Sequence, residues 1–183
     1  MTLLEKAIRF AVEMHTGVMR KRENLPYILH PLEAAVIVGT MTDDEEVLAA
    51  AVLHDTVEDT GATLEQLAEQ FGKRVAALVT SETEDKRPQL SPGESWRTRK
   101  EESLAYLKNA ADPGVKLIWL GDKLSNMRSF HREWKRSGNA MWESFNQKDP
   151  AQQAWYYRSG AALLAELKDY EASVRMTFLP SVF

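Results

Sequence analysis

The stretch Val47-Leu48-Ala49-Ala50-Ala51-Val52-Leu53-His54-Asp55-Thr56-Val57-Glu58-Asp59-Thr60 decides how this chain is built. Seven apolar residues, Val47 to Leu53, run straight into a His-Asp pair, and two more acids, Glu58 and Asp59, follow. A helical segment that is apolar on every side belongs in a core. If the helix continues past Leu53, His54 and Glu58 share one face at i,i+4, and Asp55 and Asp59 share the adjoining one. The carboxylates then gather at the C-terminal end of a buried helix, where the macrodipole disfavours negative charge. Left unpaired in the interior, each would cost on the order of several kcal/mol. A bound cation relieves that cost, because carboxylate and neutral imidazole are both metal ligands. The competing reading is a polar helix end that faces water with ordinary surface acids.

A second apolar helix carries an acid in an equally costly place. Asp112-Pro113 puts proline in a first helical turn, and the apolar run Leu117 to Leu120 then leads through Gly121 to Asp122, with Asn126 one turn further on the same face. Asp122 could instead pair with Lys123 or Arg128. Upstream, Arg20-Lys21-Arg22 precedes a Pro26-Tyr27 turn and then His30-Pro31, which reads as another helix start continuing through Leu32 to Met41. The three cations could neutralise phosphates or form a solvated basic loop.

The remaining segments are helical too. Thr2 with Glu5, and Thr42 with Glu45, form capping-box patterns, the second opening the central helix. Thr63 caps a short amphipathic helix, and Gly72 separates it from the next. Ser81 to Pro92 is polar, contains two prolines and reads as a surface loop, either a connector or a lid whose Lys86 and Arg87 reach a ligand. Glu94 to Asn109 is helical, and Asp149-Pro150 opens a long helix carrying Ala154, Tyr157, Ala161, Leu164 and Leu167 on one stripe. Thr177 to Phe183 receives no assignment. No segment alternates as a strand, so the expected fold is all-α. One domain over residues 1–183 is expected, with a motif-bearing core of about 7–128 and a helical region over 129–176.

With 183 residues and no cysteine, the chain has no disulfide or thiolate ligand, so any metal site is built from His, carboxylate and water. The formal net charge of −4 argues against a protein that coats nucleic acid. A small anionic substrate would need a local basic cluster. No run of membrane-spanning length and no signal-peptide pattern occurs, and cytoplasm is the default expectation.

Taken together, Arg20 to Pro31 (RK…PYxxHP), His54 to Thr60 (HDTVEDT) and Asp122 to Arg128 (DKLxNxR) resemble the HD-domain metal-dependent phosphohydrolases. More narrowly, they resemble the hydrolase domain of the RelA/SpoT family and its stand-alone small alarmone hydrolases. The resemblance covers about Ala7 to Arg128. It implies one Mn²⁺ held by His30, His54, Asp55 and Asp122, with Glu58 and Asp59 serving hydrolysis. It also implies nucleotide contacts from Arg20, Lys21, Asn126 (near the ribose) and Arg128. The implied reaction removes pyrophosphate from the 3′ position of (p)ppGpp. A small nucleotide is then the partner, without nucleic acid or membrane, and the oligomeric state stays open. Three departures bear on base recognition more than on chemistry. No glycine precedes Pro26-Tyr27, Gly121 replaces the commoner alanine, and Ser125 stands where His or Tyr is frequent. An HD phosphohydrolase of another nucleotide (an adenine alarmone or a phosphorylated dinucleotide) and a non-catalytic metal- or nucleotide-binding module are the alternatives.

Overall fold

The expected central helix forms as α3 (Glu45–Leu53) in a computed structural model that describes residues 1–20 and 24–178. Val47 and Ala49 to Leu53 are buried. Three consecutive alanines keep this helix narrow, so other helices can close around it. It is surrounded by α1 (Leu3–Met14), α2 (Leu29–Val38), α6 (Lys73–Glu82) and α8 (Pro113–Ser137). The remaining elements are α4 (Thr56–Asp59), α5 (Leu64–Phe71), α7 (Pro92–Asn109), α9 (Pro150–Leu163) and α10 (Glu171–Phe178). Two 3₁₀ segments, Gly138–Ser144 and Ala165–Leu167, lie on either side of α9. The fold is all-α, and the described residues hold only one isolated β-bridge, between Met19 and Pro26.

Several helix starts follow the sequence directly. Thr2 and Glu5 make both capping-box hydrogen bonds. Thr63 does the same with Gln66, and Asp112 and Asp149 cap helices that have proline in the first turn. Gly72 separates α5 from α6 at φ +97°, a conformation that disfavours any side chain. Several boundaries depart from expectation, among them the end of α2, which stops at Val38, short of Met41. The Thr42–Glu45 box does not form: Thr42 accepts from the Asp44 amide, and Asp44 caps α3 by accepting from the amides of Glu46 and Val47. The polar loop starts at Thr83 and ends at Ser91, because α6 runs to Glu82 and α7 begins at Pro92. The helix after Asp149 stops at Leu163, short of Leu167. Most consequential, α3 ends at Leu53, the chain turns through His54 and Asp55, and α4 resumes at Thr56. Thr56 Oγ1 donates to the Leu53 carbonyl at 2.7 Å, an alternative to the helical ladder that marks the break.

Two glycines set how closely the helices approach. A Cβ on Gly121 would stand 2.8 Å from the Ala34 carbonyl oxygen and 2.7 Å from Val38 Cγ2. Here α8 therefore lies almost in backbone contact with α2, one residue before Asp122. A Cβ on Gly160 would lie 1.9 Å from Trp119 Cη2, so α9 closes flat over the buried indole. Gly160→Ala is accordingly expected to destabilise the fold by roughly 1–3 kcal/mol, the cost of overpacking a filled core. Urea unfolding should show this as a lower midpoint with an unchanged slope; a midpoint equal to the parent's would contradict the packing described.

Candidate active site

Three packed elements converge at the end of α3. His30 comes from the first turn of α2, His54 and Asp55 from the turn between α3 and α4, and Asp122 from the middle of α8. His30 Nε2 lies 3.0 Å from Asp122 Oδ1 and 3.4 Å from Asp55 Oδ2. His54 Nε2 lies 3.1 Å from Asp55 Oδ2 and 3.6 Å from Asp122 Oδ1. His30, His54 and Asp122 are buried and offer ligand atoms within 4.8 Å of one another. The break at His54 makes this possible, since a continuous helix would carry Asp55 round to another face.

Hydrogen bonds on the outer ring nitrogens define which lone pairs face the centre. His54 Nδ1 donates to the Ala51 carbonyl at 2.8 Å, and His54 Nε2 is buried without a hydrogen-bond partner. Ser125 Oγ donates to Glu33 Oε2 at 2.8 Å, so its oxygen is left to accept from His30 Nδ1 at 2.9 Å. With Nδ1 as the donor in each ring, a neutral imidazole turns its Nε2 lone pair toward the carboxylate oxygens. Lone pair against carboxylate at such distances is repulsive unless a cation sits between them or the rings are protonated. Burial disfavours charge on His54, but the adjacent Asp55 and Asp122 carboxylates outweigh it and push its pKa well above the ordinary value. Burial likewise opposes ionised Asp122 and Asp55, yet Lys123 and the histidines around Asp122, and the histidines around Asp55, hold both carboxyls low. Two imidazoles and two carboxylates with positions left open match an N/O site for a divalent metal. The donor set fits.

Outer contacts hold Asp122 on its own side. Asn126 Nδ2 donates to Asp122 Oδ1 at 2.6 Å, while Lys123 pairs with Asp122 Oδ2 and lies 3.4 Å from Glu82 Oε2. Both sequence alternatives for Asp122 are thus partly realised: it pairs with Lys123 and also faces the histidines. Arg128 donates to Glu33 Oε1 at 3.0 Å, on the far side of the Ser125–His30 relay. Ser125→Ala should free the His30 ring to rotate and lower divalent-metal affinity roughly 10–100-fold, the usual cost of losing a ligand-orienting partner. Isothermal titration of the metal-free protein measures this, and an unchanged affinity would rule the relay out.

The second acid pair sits beside this centre. The Tyr27 hydroxyl lies 2.7 Å from Asp55 Oδ2 and 3.1 Å from Asp59 Oδ2, so its one proton is shared between the two carboxylates. Lys86 donates to Asp59 Oδ1 at 2.9 Å and to the Glu58 carbonyl at 2.7 Å. The Glu84 amide donates to Glu58 Oε2 at 3.2 Å. Burial first, then the Asp55 and Glu84 carboxylates, raise the Glu58 pKa above its ordinary value, against the Glu84 amide that lowers it. A cavity of about 380 Å³ opens next to the acids, lined by Val18, Met19, Arg20, Tyr27, Asp59, Asn126 and Phe130. Arg20, Asp59 and Asn126 therefore share one space, and Lys21 lies outside the described residues. Tyr27, Glu33, Lys86 and Ser125 complete the surroundings. Their sequence signals were a Pro-Tyr turn, a lid cation and a departure from a family pattern, with none for Glu33.

Comparison with known proteins gives a consistent picture. The sequence model of the HD domain matches residues 7–150. The chain is 38% identical over 135 residues to the guanosine-3′,5′-bis(diphosphate) 3′-pyrophosphohydrolase of Aquifex aeolicus, covering 73% of this chain and 19% of that protein. It is 37% identical over 129 residues to the GTP pyrophosphokinase of Myxococcus xanthus, covering 69% and 17%. The chain thus spans about a fifth of the length of these curated relatives. Among solved structures, a metazoan ortholog of SpoT that hydrolyses ppGpp superposes with a TM-score of 0.73 at 25% identity, covering 100% of this chain and 98% of that one. A Listeria monocytogenes protein superposes with a TM-score of 0.70 at 29% identity, covering 82% and 96%.

Proposed function

The chain belongs to the HD domain family, and on that premise we propose that it hydrolyses the 3′-diphosphate of (p)ppGpp, releasing pyrophosphate and leaving GDP or GTP. The observation that carries the proposal is the pair of His Nε2 atoms facing Asp55 and Asp122 beside an acid pair held by Tyr27, Lys86 and the Glu84 amide. The names of the Aquifex relative and the metazoan neighbour support the substrate. In this reading His30, His54, Asp55 and Asp122 hold one divalent ion, with Mn²⁺ the first choice for an N/O donor set. When bound, such an ion lowers the pKa of water and stabilises charge on a phosphoryl group.

The residues of this chain do the rest. Glu58 accepts the proton of the attacking water, a role suited to a carboxyl raised above the usual glutamate value. Asp59, held by Tyr27 and Lys86, orients that water. The water oxygen bonds to the phosphorus attached to O3′, the O3′–P bond breaks, and O3′ takes a proton as pyrophosphate departs. Arg20 and Lys21 receive the nucleotide, where a planar guanidinium can stack on a base or grip phosphate. Asn126 stands near the ribose, and Arg128 reaches the substrate from its pair with Glu33.

Kinetics on a panel of guanine and adenine nucleotides with 3′-phosphates test the assignment. The double variant Arg20→Ala/Lys21→Ala should raise KM for ppGpp about tenfold or more, as loss of charge-assisted phosphate contacts does, while metal content stays intact. Hydrolysis of a small activated phosphodiester should change much less. Equal damage to both substrates would mean that the loop supports the metal site instead. Preference for an adenine nucleotide would move the substrate to the alternative HD class.

A further inference from the structure

Lys86 is an exposed cation with an unusual set of partners. It sits in the segment between α6 and α7, and its side chain is 52% exposed. Its Nζ nevertheless converges on the acid pair, with the Glu58 carbonyl at 2.7 Å, Asp59 Oδ1 at 2.9 Å and Glu58 Oε1 at 3.6 Å. Two residues earlier, the Glu84 amide donates to Glu58 Oε2, so one short strand of chain grips both acids. That strand is itself anchored: the Glu84 carboxylate pairs with Arg99 and Lys100 of α7 and is largely buried.

From this geometry we propose that Lys86 is a positioning residue for hydrolysis, fixing Glu58 and Asp59 in register beside the metal centre through the Glu84 anchor. The inference rests on the hydrolase reading above and extends it to the linker. A solvated lysine normally gains little from one surface pair. Here the cation lies between two acids that would otherwise repel each other, one of them mostly buried. The charged groups facing Glu58 are Asp55 from the turn, Asp59 from α4, and Glu84 and Lys86 from the linker. Among these described residues, Lys86 supplies the positive charge. Removing it takes away a positive charge 3.6 Å from Glu58 Oε1, leaves the Glu84 amide as the opposing contact to Asp55, Asp59 and Glu84, and raises the Glu58 titration midpoint further.

Two variants and two readouts test the proposal. Lys86→Met should lower kcat ~10-fold or more, the scale of a small misplacement of catalytic groups, while KM changes by less than ~3-fold. Lys86→Arg keeps the charge and should restore most of kcat. Independently of turnover, carbon-detected NMR of metal-free protein labelled at glutamate should show the Glu58 carboxyl titrating at higher pH in Lys86→Met than in the parent. An unmoved Glu58 midpoint would overturn the proposal. So would a raised KM at unchanged kcat, which would make Lys86 a substrate contact. If the parent protein turned over no phosphorylated nucleotide, the hydrolase reading would fall, and the titration alone would decide whether Lys86 governs Glu58.

Discussion

Glu58→Gln is expected to reduce kcat by about 10²-fold or more, the scale of lost general acid–base catalysis, with metal content and fold intact. Glutamine preserves volume and can still accept from the Glu84 amide that now meets Glu58 Oε2. It cannot accept a proton from water. The pH dependence follows with a definite sign. Glu58 acts as a base only when ionised, and burial with the Asp55 and Glu84 carboxylates lifts its pKa above the ordinary 4.5. The rate should therefore fall as pH drops through a value above 4.5, and this limb should be missing from the residual activity of Glu58→Gln. A variant with full kcat would remove Glu58 from the mechanism and leave Asp59 as the remaining base.

His54→Ala should abolish stoichiometric metal binding. The imidazole is buried, its Nδ1 is committed to Ala51, and its Nε2 has no partner other than the centre itself. Removing one of the four proposed ligands leaves only His30, Asp55 and Asp122 at the centre. Elemental analysis of the variant after desalting should find little metal where the parent holds about one ion per chain. The thermal midpoint of the parent should rise with added Mn²⁺, because a ligand that binds only the folded chain stabilises it. That rise should vanish in the variant. Undiminished occupancy would show that the ion sits elsewhere.

The sequence made the helices legible because caps and apolar runs are local. Asp112-Pro113 and Asp149-Pro150 mark real helix starts, and Thr2 with Glu5 closes a real box. Where two caps compete within three residues, local pattern fails. Thr42 offered the right spacing, but Asp44 carries a carboxylate that accepts two amides at once and is also held by Arg74. The apolar run into His54-Asp55 pointed correctly to a buried polar cluster, yet it gave no sign that the helix breaks there. That break is a backbone event stabilised by Thr56 on the Leu53 carbonyl. The supporting contacts were least legible. Ser125 is 95 positions from His30 and 92 from Glu33, and no periodicity links residues so far apart. Lys86 was visible as a cation in a polar loop, but its partners were not, because they lie 27 and 28 residues upstream with α5 and α6 between.

In the proposed reaction, water attacks the phosphorus joined to O3′ under the control of Glu58 and the His-Asp centre. Hydrolysis of ppGpp in ¹⁸O-labelled water with Mn²⁺, followed by mass spectrometry of the products, tests it directly. One ¹⁸O is expected in the released pyrophosphate and none in GDP. Release of orthophosphate, or label retained in the nucleotide, would contradict it.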